Sequence, residues 1–120
     1  MLETVTLDPL ARQLTATSAD DVARVARTMR ERRMLAEQAG RDALATWYDA
    51  MLISVSSCGL MFRETRQIAL AALPSRDLAA LIVDFGREMA QIGPASGQRF
   101  EIAATMLAEL RNEMRRRRLA

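Results

Sequence analysis

Residues 43–62 constrain the chain more than any other stretch. They hold one carboxylate, Asp49, and no basic residue, among Leu44, Trp47, Tyr48, Met51, Leu52, Ile53, Val55, Cys58, Leu60, Met61 and Phe62. Leu44, Trp47, Tyr48, Met51, Val55, Cys58 and Phe62 recur at steps of three and four, the spacing of one helix face. Ile53 and Leu60 extend the apolar surface to the other side, and a helix that is apolar on two sides has to be covered on two sides. At a rise of 1.5 Å per residue such a helix runs about 30 Å, the size of a small bundle and also of a bilayer core.

The two environments differ in what they do to Asp49. A spanning helix would place this carboxylate in hydrocarbon at roughly 2.5 to 3.5 kcal/mol near the centre, less toward an end. It would also strip the remaining apolar stripes of their partner. Burial in a helical bundle or oligomer is therefore the preferred reading, ahead of contact with a lipid or polymer surface and of a true span. Asp49 itself is expected to face a partner arginine or the rim of the bundle.

The rest of the chain supplies the covering helices. Residues 1–17 read as an arm or short helix opened by Asp8 and Pro9, an N-cap and first-turn pair; with Glu3 and Asp8 and no basic start, they are not expected to act as a secretory leader. Ser18 is expected to cap a helix whose buried side is Val22, Val25, Met29, Leu35, Ala36 and Ala39, ending at Gly40. Asp42 opens the central helix, expected to continue to Leu73 with a bend near residues 56–59, before Pro74 stops it. Ser75 is expected to cap the next, striped by Leu78, Leu81, Ile82, Phe85, Met89 and Ile92 and closed by Gly93 and Pro94. Ser96 introduces the last, striped by Phe100, Ala103, Met106, Leu107, Leu110 and Met114. Short connections make these neighbours antiparallel. The fold expected is all-α, an antiparallel bundle of four main helices forming a single domain over residues 1–120, self-associating, with a basic C-terminal end at 115–120.

Composition removes whole classes of chemistry. All 17 basic residues are arginine, so lysine Schiff bases and histidine acid–base or metal chemistry are excluded. Coding bias in a GC-rich bacterial genome explains the arginine-only set more simply than selection for bidentate contacts. The lone Cys58 cannot form an internal disulfide and has no histidine to activate it, so it reads as a small buried thiol. No metal or cofactor site is expected, and no enzyme is indicated. The eight methionines read as adaptable core filling.

The net charge of +2 is uneven. Residues 94–120 carry six arginines against three glutamates, and Arg115, Arg116, Arg117 and Arg118 are consecutive. The run completes a helix dipole at its C-terminus, with Glu113 and Arg117 paired at i,i+4. Read functionally, Arg111 and Arg115 to Arg118 form an anion contact suited to the phosphates of nucleic acid or lipid. No zinc spacing, RNA-binding motif or nearby aromatic accompanies it.

A long, charge-poor amphipathic helix, the break at Pro74, Ser75, Arg76 and Asp77, and a second amphipathic helix from Leu78 to Met89 together resemble the small phasins of polyhydroxyalkanoate granules. The resemblance covers about fifty residues, rests on pattern alone, and departs from such proteins in the absence of lysine and in the arginine tail. It implies a non-enzymatic, cytoplasmic, homo-oligomeric coat or interaction protein that presents amphipathic helices to a hydrophobic polymer, lipid surface or protein partner. The contact set expected on this reading is Trp47, Met51, Val55, Phe62, Phe85 and Met89. The alternative is a small nucleic-acid-associated or regulatory protein that uses the arginine cluster.

Overall fold

The computed structural model describes residues 19–56, 63–93 and 98–119. These form five helices and, among the described residues, no strand: α1 Ala19–Gln38, α2 Asp42–Ser56, α3 Arg63–Ala71, α4 Ser75–Ile92 and α5 Gln98–Leu119. The expected arm at 1–17, the Ser18 and Ser96 caps, the bend near Gly59, Cys58 and Phe62 lie outside the described residues.

Local chemistry sets the helix ends. Gly40, at φ +71°, takes the left-handed conformation that closes α1. Its N–H donates to the Glu37 carbonyl at 3.0 Å, and that of Arg41 to the Ala36 carbonyl at 2.9 Å. These two bonds form the Schellman arrangement, which satisfies carbonyls the helix would otherwise leave bare. Gly93, at φ +76°, ends α4 with its N–H on the Met89 carbonyl at 2.9 Å. At the start of α4 the cap position belongs to Pro74 and not to Ser75, with no side-chain cap bond. The Ser75 hydroxyl is left available to a distant donor, described below.

The closest backbone approaches are between α1 and α2 and between α4 and α5, with α3 bridging from α2 toward α5. One core joins all five. From α2 it takes Leu44, Ala45, Trp47, Tyr48, Ala50, Met51 and Val55, an arc covering more than half of that helix's circumference at 100° per residue. α4 contributes Leu78, Leu81 and Phe85, and α5 Ile102, Met106, Leu107 and Leu110. Trp47 meets Phe85 edge to face, ring centres 6.0 Å apart, and Tyr48 at 5.1 Å, the geometry that ring quadrupoles prefer.

No helix among the described residues is long and apolar enough to cross a membrane. Asp49 is half exposed at the edge of α2 and pairs with Arg33 of α1. Three expectations about apolar positions change. Leu35 is 64% exposed, Ala39 just past the end of α1 is exposed, and Ile53 lies outside the buried arc. The buried line of α1 runs through Ala26, Met29 and Ala36, and Leu35, six residues from Met29, is turned roughly 120° away from it.

Candidate functional site

The polar chemistry of the molecule concentrates on α5, whose charged residues fall into two rows. Glu109, Glu113 and Arg116 share one side, at i, i+4 and i+7; Arg111, Arg115 and Arg118 repeat that spacing two residues later, about 200° around the helix. The first row faces α3 and the second the outer flank beside α4.

On the α3 side Arg66, Glu109, Glu113, Arg116 and Arg117 are all paired. Arg66, on the buried line Arg66, Ala69, Leu70 and Leu73, is only 1% exposed. It forks onto Glu109, donating from Nη2 to Oε2 at 2.9 Å and from Nε to Oε1 at 3.4 Å. Its Nη1 donates to the buried Ser54 hydroxyl of α2 at 3.3 Å. One guanidinium thus ties three helices, and its planar fork suits a carboxylate as no ammonium would. A buried charge persists only when paired and hydrogen-bonded in this way.

Glu113 serves as a second node. Arg116 donates to it from Nη2 at 2.6 Å and from Nε at 3.0 Å, and Arg117 from Nε at 2.8 Å. The hydrogen bonds from Arg116 hold the Glu113 carboxyl below its ordinary pKa against the opposing effect of burial, with Arg117 adding to the shift. Arg117 also reaches out of α5 to the end of α3, where its Nη2 donates to the carbonyls of Leu70 at 3.0 Å and Ala71 at 3.3 Å. Its Nη1 meets the Ser75 hydroxyl at 3.2 Å. A cation at the C-terminal carbonyls of a helix complements its dipole, so Arg117 serves as the cap of α3.

The opposite side of α5 is bare. Arg111, Arg115 and Arg118 are exposed, and none of them forms an ion pair among the described residues; Arg115 donates only to the Asn112 side-chain oxygen, at 3.5 Å. They surround a shallow hollow of about 270 Å³ whose remaining lining is Ile82 and Met114. Of the α5 glutamates, Glu109 and Glu113 are held on the α3 side, and Glu101 lies in the first turn at the far end of the helix. The anion contact expected from sequence therefore divides: Arg111, Arg115 and Arg118 form an available row, while Arg116 and Arg117 are committed to Glu113.

The hydrophobic contact set sits elsewhere. Trp47, Met51, Val55 and Phe85 are buried among the chain's own helices, and Met89 is half-buried against the same core. Phe62 lies outside the described residues.

A larger cleft of about 430 Å³ opens between α1, α2 and α4, but its arginines are balanced. Arg32 pairs with Glu88 at 2.7 Å and lies over the Phe85 ring, Arg41 is 3.6 Å from the buried Asp77, and Asp84 stands three residues before Arg87. Burial pushes the Tyr48 hydroxyl at its wall above its ordinary pKa, with the nearby Arg32 opposing. Among the described residues no three groups of metal-ligating type come together.

Sequence reasoning missed Arg66, Ser54 and Glu109. The available signal was the i, i+3, i+4, i+7 register that Arg66 shares with Ala69, Leu70 and Leu73. Comparison with known proteins places the chain in no family: no family model, curated protein or solved structure matches it.

Proposed function

We propose that the chain is a non-enzymatic helical docking protein, an antiparallel bundle of four main helices in which α2 and α3 act as two halves of one, and that it meets an anionic partner through the outer side of α5. The observation that supports this reading is the segregation of charge around α5: two of its three glutamates are held on the α3 side, and three arginines stand exposed on the other. The arginines of α1 have acidic neighbours. On α1 the exposed Arg24 and Arg27 stand at i,i+4 from Asp20 and Glu31, Arg30 is followed by Glu31, and charges so mixed project little net field.

The phasin-like reading asks something different of the same molecule. Trp47, Met51, Val55 and Phe85 would have to leave the core to meet a hydrophobic surface, forfeiting roughly 1.5 to 3 kcal/mol of burial for each such side chain before any new contact forms. Their burial within the chain is what favours docking through the arginine row.

Heparin, a generic polyanion, tests the proposal. The full chain is expected to be retained on immobilised heparin at low salt and to elute as salt rises, with Arg111→Gln/Arg115→Gln/Arg118→Gln eluting much earlier. Equal elution of the two proteins would remove the proposal.

A further inference from the structure

The row has neighbours that narrow its partner, and the inference drawn from them rests on the anionic docking reading above. α4 packs along α5, so the three arginines lie on the flank of a helix pair and not on a helix that stands free. Two helices side by side, each about 10–12 Å across with side chains, present a face about 20 Å wide. That is too broad for the 12 Å major groove of a duplex. Single-stranded nucleic acid is gripped by aromatic platforms, and no aromatic residue lines the hollow.

What the row does have beside it is apolar. Ile82 and Met114 form the floor of the hollow, and Val83, the next residue of α4, is 56% exposed. Arg76 lies seven residues before Val83 on the same side of α4 and is also exposed, with no carboxylate partner among the described residues. Guanidiniums on long apolar stems around a few aliphatic side chains match the boundary where lipid phosphates meet acyl chains.

We propose that the outer face of the α4–α5 pair is a docking surface for an anionic lipid bilayer, with Arg111, Arg115 and Arg118 on the headgroup phosphates, Arg76 at the margin, and Val83 as the apolar contact. The attachment is peripheral. Each arginine near an anionic surface contributes about 1 kcal/mol, and the attraction fades beyond a Debye length.

The test is flotation of the full chain with vesicles of phosphatidylglycerol and phosphatidylcholine, against vesicles of phosphatidylcholine alone, at about 50 mM and about 300 mM salt. Three variants accompany it: Arg111→Gln/Arg115→Gln/Arg118→Gln; Arg24→Gln/Arg27→Gln/Arg30→Gln, which removes the same charge from α1; and Val83→Ser. Circular dichroism checks that each folds. The native chain is expected to float with the anionic vesicles at low salt, to stay behind with the neutral ones, and to be released at high salt. Partitioning is expected to fall roughly a hundredfold in the α5 variant, a fewfold in Val83→Ser, and little in the α1 variant.

Equal binding to neutral vesicles, or equal loss in the α1 and α5 variants, would overturn the proposal. An anisotropy titration with labelled single- and double-stranded oligonucleotides runs in parallel. Binding to heparin and oligonucleotide without binding to vesicles would sink the lipid assignment and leave anionic docking standing; failure on all three would sink both.

Discussion

α5 carries two charged rows offset by only two residues, and they do opposite things. Toward α3, Glu109 receives Arg66 and Glu113 receives Arg116 and Arg117, and Arg66 and Arg117 tie helices together. Toward the outer flank, Arg111, Arg115 and Arg118 hold nothing in place. The difference is a matter of surroundings and not of residue type. A guanidinium removed from water has to find a carboxylate or cost several kcal/mol, whereas one left in water keeps its field for a partner.

The largest expected effect comes from breaking the buried half of this contrast asymmetrically. Glu109→Gln removes the carboxylate onto which the buried Arg66 forks and is expected to lower unfolding free energy by about 3 kcal/mol. Arg66→Met removes the buried charge itself and leaves a Glu109 that is 27% exposed and able to turn to water, so its cost is expected to be about 1 kcal/mol. Urea denaturation of both single variants and the double checks this. Equal costs would mean that Arg66 is not buried as described.

Glu113→Gln comes next, at about 2 kcal/mol near neutral pH, through lost charged hydrogen bonds. The loss should depend on pH in a definite direction. Glu113 has a pKa depressed below 4.5 in the fold, so its contribution is fully present above that ordinary value and disappears as pH falls through the depressed one. Stability curves of the native and Glu113→Gln proteins are therefore expected to converge in acid. Parallel curves down to pH 2 would contradict the pairing.

On the exposed half the effect on stability should be near zero. Arg111→Gln/Arg115→Gln/Arg118→Gln is expected to stay within about 0.5 kcal/mol per site, with any gain coming from relieved repulsion between Arg111 and Arg115 at i,i+4. A large loss of stability would show the row to be structural. The smallest effect is at Tyr48, the chain's single tyrosine. Its pKa is raised above 10.0 in the fold because burial favours the neutral phenol, so the stability linked to it is present below pH 10 and fades as pH rises through the raised value. Absorbance titration at alkaline pH should give a midpoint that drops toward 10 on unfolding.

Much of the helix layout was legible in the sequence, for reasons that are local. The α4 stripe of Leu78, Leu81 and Phe85 is buried as its period implies, and Gly40 and Gly93 end helices because each takes a positive φ. Leu35 was misplaced because the buried line of α1 is narrow, running through Ala26, Met29 and Ala36, and Leu35 is turned about 100° from Ala36. The burial of Arg66 was signalled by its register with Ala69, Leu70 and Leu73, but its partner was not legible, since Glu109 stands 43 residues away. The arginine run was read as one cluster. Its division between Glu113 and the outer flank depends on helix phase together with the position of α3, and only the second of these required the structure.

The division of labour around α5 is tested most directly by hydrogen exchange of the arginine Nε–H groups, followed by nitrogen-15 NMR. Arg66 and Arg117 are expected to give slowly exchanging Nε–H signals, protected by Glu109 and Glu113, while Arg111, Arg115 and Arg118 exchange at the rate of free arginine. Protection of that exposed trio, or fast exchange at Arg66, would contradict the account.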